Sequence, residues 1–174
     1  MKSNEKMRLV INGFLKTPLN SIEKISNLEK LIITNYELNE LDIEYIKSFD
    51  IKVLQFDNVS VSNVLSFNNS IERLYLCNIE SNFNINLSNM ENLTNLTIHQ
   101  CENVGTLKLS NLSNLKELHI NNSYLSKIHG LENLTELNTI NLDGSKIENS
   151  FVFPSNPTLT ISCQKEFYLS KPLS

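Results

Sequence analysis

Pairs of apolar residues, separated by a single residue, recur along the chain. Eight short runs carry such a pair, and their first members lie 22, 23, 20, 22, 22, 22 and 19 residues apart. Because side chains alternate between the two faces of a β-strand, each run predicts a short strand with one buried face. One turn of such a chain cannot bury its own apolar face, so successive turns must stack. The pairs are Leu9/Ile11, Leu31/Ile33, Leu54/Phe56, Leu74/Leu76, Leu96/Ile98, Leu118/Ile120, Ile140/Leu142 and Leu159/Ile161.

The clearest repeat begins at Leu115 and reads LKELHINNSYLSKIHGLENLTEL. Its spacing, L-x-x-L-x-L-x-x-S-x-L-x-x-I-x-x-L-x-x-L, resembles the leucine-rich repeats of about 22 residues found in bacterial internalins and in a eukaryotic phosphatase regulator. The resemblance covers nearly the whole chain. It implies an α/β solenoid, a right-handed coil with a concave parallel sheet of about eight strands and an irregular convex side.

The segments that return from one strand to the next differ in pattern. Residues 37–49 place apolar side chains at helical spacing, which predicts a short helix. Residues 18–28 begin with Pro18 and carry an apolar residue at every third position, which favours a short helix or a 3₁₀ turn. Residues 83–87 and 106–109 alternate with period two, so we expect extended segments there.

The ninth position of the repeat departs from the family pattern. The resemblance implies an asparagine there, with its amide bonded to the backbone of neighbouring coils. None of the seven residues at this position is an asparagine. We therefore expect apolar packing and small hydroxyls to replace a buried asparagine ladder. We also expect the asparagines found one place earlier to close the turn. The ninth position holds Phe14, Tyr36, Val59, Ile79, Cys101, Ser123 and Ser145, and the earlier asparagines are Asn35, Asn58, Asn78 and Asn122.

We interpret residues 1–174 as a single leucine-rich-repeat domain. Residues 1–27 form an N-terminal half-repeat or cap, 28–155 the central repeats, and 156–174 the last strand with a C-terminal cap. Solenoid ends expose core and need such caps. Phe167 and Leu169 alternate as in a strand, which predicts a short cap on the last coil.

Composition excludes several functions. The formal net charge is −4 with cations scattered among acids, which argues against a nucleic-acid partner. No stretch is apolar enough to cross a membrane and no signal peptide is evident, so we expect a cytoplasmic protein without a membrane partner. The three cysteines, Cys77, Cys101 and Cys163, lie far apart and predict neither a zinc site nor a disulfide framework. Without phosphate-loop or hydrolase motifs, no cofactor is expected.

The concave sheet face is the predicted binding surface. Its N-terminal part mixes apolar and basic side chains, a combination that suits contact with another protein. Arg73 and Tyr75 are of the residue types that most often anchor interfaces, although isolated residues of this kind also occur on sheets without any role. The predicted partner-binding residues are Arg8, Lys30, Ile32, Val53, Gln55, Arg73, Tyr75, His99, Glu117 and His119.

Cys77 and His99 are predicted to be neighbours on this face, with His119 and Asp143 nearby. A thiol beside an imidazole invites a catalytic or metal-binding interpretation. An open sheet offers no water-excluding pocket, so we expect neither catalytic residues nor a metal. The leading hypothesis is a protein-binding module: an intracellular scaffold, adaptor or effector. The alternatives are a structural or self-associating repeat protein, monomeric or weakly associated, and thirdly an enzyme that uses Cys77 and His99.

Overall fold

The computed structural model describes residues 6–13, 18–61, 64–80, 82–148 and 150–163. Eight parallel strands form one sheet in which the spatial order of the strands is their order along the chain. Seven segments connect them, so the chain is a parallel-strand solenoid, as predicted. The strands of this main sheet are β1 (Met7–Asn12), β2 (Leu28–Leu38), β3 (Val53–Val61), β5 (Arg73–Cys77), β7 (Asn95–His99), β9 (Glu117–Asn121), β11 (Thr139–Asn141) and β13 (Thr160–Ser162).

Shorter elements form the return side of the coils. The predicted extended segments are confirmed, since β6 and β8 lie there. Strands β8, β10 and β12 make a three-stranded parallel sheet, and β4 pairs with β6. The return strands are β4 (Val64–Ser66), β6 (Asn84–Asn86), β8 (Val104–Lys108), β10 (Tyr124–His129) and β12 (Lys146–Ile147).

The predicted helix is present as α1 (Glu40–Lys47), shorter than the apolar pattern indicated. A capping box fixes its start. The Asn39 side chain accepts a hydrogen bond from the Asp42 N–H at 3.1 Å, and the Asp42 carboxylate accepts one from the Asn39 N–H at 3.1 Å. After Pro18 the chain forms one 3₁₀ turn, Leu19–Ser21, which is one of the two structures predicted there. Another 3₁₀ turn lies at Leu131–Asn133. No helix in the described ranges is long and apolar enough to cross a membrane.

One hydrophobic core runs through the stack from Leu19 to Phe151. The inward-facing pairs from Leu31/Ile33 to Ile140/Leu142 are at most 2% exposed. Leu9 and Ile11 in β1 and Ile161 in β13 are only partly buried, because each of these strands has one main-sheet neighbour among the described strands. Full burial of such a side chain stabilises the fold by about 1.5–3 kcal/mol.

The register of β13 corrects the predicted repeat. Ile161 pairs with Ile140, and Thr160 pairs with Thr139. The last step is therefore 161 − 140 = 21 residues rather than 19, and the inward pair does not begin at Leu159. Alternation alone could not set this register. Leu159 and Ile161 are both apolar and two residues apart, and a shift of two residues leaves every side chain on the same face of the sheet.

From the second coil to the seventh, the residue in the eighth position has a positive φ. Asn35, Asn58, Asn78 and Asn122 all have φ between 50° and 53°, in the left-handed region. Asparagine tolerates this conformation better than other residues that carry a Cβ. The prediction that these asparagines close the turn is thus confirmed. Gln100 and Gly144 occupy the equivalent place in their coils, with φ of 50° and 68°.

The ninth position carries a buried ladder in the later coils. The Cys101 N–H donates to Ser123 Oγ at 3.1 Å, and the Ser123 N–H donates to Ser145 Oγ at 3.1 Å. Ser145 Oγ in turn donates to the Ile120 carbonyl at 2.7 Å. In earlier coils Val59 and Ile79 are buried instead, so hydroxyls and apolar packing do replace an asparagine ladder. Phe14, Phe167 and Leu169 lie outside the described residues.

Candidate binding face

The outward side chains of the main sheet, called the sheet face below, form three rows that cross the strands in register. All ten residues predicted for partner binding lie in these rows. The first row contains Arg8, Lys30, Val53, Arg73, Asn95, Glu117 and Thr139; the middle row contains Val10, Ile32, Gln55, Tyr75, Thr97, His119 and Asn141; the third contains Asn12, Thr34, Asp57, Cys77, His99 and Asn121.

Ile32 was expected to be exposed on this face, and the expected exposure is wrong. Its exposed fraction is only 5%, although it lies outside the main core. Val10 and Gln55 flank it in the middle row, on the two adjacent strands. Neighbours at the ordinary strand spacing of about 4.8 Å can cover a side chain in the middle of a sheet. The apolar group that this region does expose is Val10, at 52%.

The first row has three cations near its N-terminal end. Arg8 and Arg73 are exposed, and Lys30 is partly exposed. None of the three forms an ion pair within the described residues, whereas the cations just before the strands do: Lys6 Nζ lies 2.6 Å from Glu29 Oε1, and Lys52 Nζ lies 3.4 Å from Glu72 Oε1. We call Arg8, Lys30 and Arg73 the basic row.

Further along the first row the side chains form a polar network. Asn95 Nδ2 donates to Glu117 Oε2 at 2.5 Å, and His119 Nε2 lies 3.6 Å from the same oxygen. Thr94 Oγ1 donates to Asn95 Oδ1 at 2.7 Å. These contacts hold the Glu117 carboxylate between two strands. Sequence reasoning singled out Glu117 and His119 but not Asn95, whose place in the row between Arg73 and Glu117 was the available signal.

Cys77 and His99 are adjacent across β5 and β7, as predicted. Asp57 is the neighbour of Cys77 on its other side. Burial, and secondly the Asp57 charge, raise the pKa of the Cys77 thiol. An activated nucleophile requires the opposite shift, because the thiolate is the reactive form. Within the described residues, no group of three or more His, Cys, Asp or Glu side chains converges to hold a metal ion.

Parallel strands, a near-constant step and one continuous core define the chain as a repeat solenoid. No protein-family model matches the sequence, and no curated protein or solved structure matches the chain.

Proposed function

We propose that the chain is a leucine-rich-repeat module that binds another protein through its sheet face. The single observation that carries this proposal is the basic row, which lies beside Tyr75 and the exposed Val10. Cations that form no ion pair within the described residues, next to an aromatic and an apolar group, suit an interface with a polar rim. Solenoids of this kind commonly present such extended surfaces to macromolecules.

The charge distribution indicates the chemistry of the partner. An acidic segment would face Arg8, Lys30 and Arg73, while its apolar side chains would contact Val10 and Tyr75. The Glu117 carboxylate lies further along the same row and would accept hydrogen bonds from donor groups of the partner. The role is that of a cytoplasmic scaffold, adaptor or effector. No catalysis is assigned to Cys77 and His99, since the raised thiol pKa disfavours the thiolate.

The test begins with crosslinking of the wild-type chain in its source cells to identify the partner, followed by calorimetry with that purified partner. Arg73→Glu should raise the Kd about 30-fold, because truncation or reversal of an interface anchor costs about 2 kcal/mol. Lys24→Glu, an equal charge reversal at an exposed site in the return segment before β2, is the matched control. Unchanged affinity in Arg73→Glu, or an equal loss in the control, would overturn the proposal.

Self-association is a second candidate function, favoured by the position of β1 at the edge of the main sheet and by its exposed apolar side chains. This strand pairs only with β2 among the described strands, and its Met7 and Val10 are 46% and 52% exposed. An edge strand with exposed apolar groups can pair with another chain. Sedimentation velocity should then show a mass that increases with concentration and a loss of that increase in Val10→Lys. A constant monomer mass in the wild type removes this candidate.

A further inference from the structure

A groove of about 670 Å³ lies on the return side of the later coils. Strands β6, β8 and β10 form its walls, together with the residues that follow β6 and β8. None of the residues of the basic row lines it. A concavity of this volume falls within the range of small-ligand sites, about 300–1,000 Å³. The groove is therefore a separate place at which the chain could bind a ligand.

Strand pairing gathers three basic side chains in this groove. Lys108 pairs with His129 across β8 and β10, and Lys127 pairs with Thr106. Lys108, Lys127 and His129 are exposed, whereas the intervening Leu107 and Ile128 are buried. All three basic groups consequently point outward from the same face, separated by about one strand spacing, roughly 4.8 Å, or by two residues along a strand.

No acid lies among the residues that line the groove to balance the two lysines. The lining residues of the groove include no Asp or Glu, although the whole chain has a net charge of −4. Within the described residues, Lys108, Lys127 and His129 form no ion pair. The other polar lining groups are neutral donors and acceptors, namely Asn84, Asn86, Ser88, Thr106, Ser110 and Asn111. A local excess of positive charge in a concave site attracts anions.

We propose that this groove binds a small phosphate- or sulfate-bearing ligand. The ammonium groups of Lys108 and Lys127 would contact the oxyanion, and the hydroxyl of Thr106 would donate to it, since Lys and hydroxyl donors are common partners of phosphate. The remaining amides and hydroxyls would bind the polar body of the ligand. The groove has a volume well above that of a bare ion, which favours an organic phosphate or sulfate over the free anion. This inference is independent of the sheet face and of its partner.

Isothermal calorimetry on the full chain tests the proposal with inorganic phosphate, inorganic sulfate and glycerol 3-phosphate as probes, and sodium chloride at equal ionic strength as the blank. We expect saturable binding of at least one oxyanion probe. Tighter binding of glycerol 3-phosphate than of phosphate would identify an organic phosphate as the source, whereas equal affinity would identify the oxyanion alone. Absence of saturable binding with all three probes overturns the proposal.

Charge-neutralising variants locate the site. Lys127→Gln and Lys108→Gln should each raise the Kd at least tenfold for the probe that binds. Lys116→Gln removes an equally exposed lysine outside the groove and should leave the Kd within twofold. Equal weakening in Lys116→Gln would show that only the overall charge matters and would refute the site. Because these lysines are exposed, the variants should fold like the wild type, which a thermal melt verifies.

Discussion

The coils before and after Asn78 close the turn behind each main strand in different ways. In the early coils, a surface row of amides does so: Asn58 Nδ2 donates to Asn35 Oδ1 at 2.7 Å, and Asn78 Nδ2 donates to Asp57 Oδ1 at 2.6 Å. In the later coils the polar ladder lies one residue further on and is buried, at Cys101, Ser123 and Ser145. The same backbone turn can therefore be stabilised from outside or from inside.

The length of the main strands and the structure of the return segments also differ between the early and the later coils. The early strands β2 and β3 have 11 and 9 residues and continue past their left-handed asparagine, whereas β7 and β9 have 5 residues and end before their left-handed residue, Gln100 or Asn122. The helix α1 follows β2, while the later coils return through the extended sheet of β8, β10 and β12. A regular extended return gives the later coils a regular step. Small buried hydroxyls therefore accompany the uniform coils, and exposed amides accompany the irregular ones.

The largest expected effect tests whether the two regions share one folding unit. Leu54→Ala and Leu118→Ala each remove a side chain that is 0% exposed, one in each region. Each should lower the free energy of unfolding by about 2–5 kcal/mol, because a cavity is left in a packed core. Urea denaturation followed by circular dichroism should show a single transition in both variants, since the core is continuous. Two separate transitions would show that the regions unfold independently.

The second prediction breaks the buried ladder. Ser123→Ala removes the acceptor of the Cys101 N–H and leaves that buried donor without its partner. The expected loss of unfolding free energy is about 1–3 kcal/mol. Ser113→Ala removes a hydroxyl from an exposed turn of the preceding return segment and should change it by less than about 0.5 kcal/mol. If both variants melt alike in urea, the ladder does not stabilise the later coils.

The third prediction concerns the turn at Gly144, where φ is +68°. Gly144→Val should cost about 1–2 kcal/mol, because a Cβ is strained in the left-handed region. Gly144→Asn should cost less, since asparagine occupies the same place and conformation in four other coils. A Cβ there would meet Asn122 Oδ1 at 2.0 Å, which is the rotatable end of an exposed side chain. Thermal melts that rank asparagine below valine at this site would contradict this account.

A smaller effect is expected from the surface amides. Asn58→Gly keeps access to the left-handed conformation but removes the hydrogen bond to Asn35, at a cost of about 0.5–1 kcal/mol. Asn58→Ala loses the bond and adds backbone strain, so it should be the less stable of the two by about 1 kcal/mol. Chemical denaturation of both variants measures the difference. Equal stability would mean that the turn does not depend on φ at this position.

The smallest effect at neutral pH concerns Cys101. Burial raises the pKa of its thiol from 9.0 to about 11. The folded state therefore favours the protonated thiol, and its contribution to stability is complete below pH 9 and lost as the pH rises towards 11. Between pH 8 and 11 the wild type should lose more stability than Cys101→Ser, in which a hydroxyl takes the place of the thiol. An identical pH slope in both proteins would assign the loss to other groups.

The leucine pairs and turn asparagines made most of the fold predictable. The pairs set the buried face of each strand, and the asparagines mark the turn after it. Some features that depend on the pairing of residues from different coils were not predictable. The burial of Ile32 depends on which residues flank it in the sheet, and the register of Ile161 depends on the bonds to β11. Likewise, Lys108 and His129 are 21 residues apart, and only the pairing of β8 with β10 brings them together in one groove.

The backbone N–H groups of the buried ladder all donate in one direction, each to the hydroxyl of the next coil. Any coil that carries serine in this place therefore presents the same acceptor to the coil before it and the same donor to the coil after it. Excision of residues 101–122 or duplication of 123–144 would join equivalent positions of two coils. Such a molecule can change its length by whole units during evolution without a redesign of its interior.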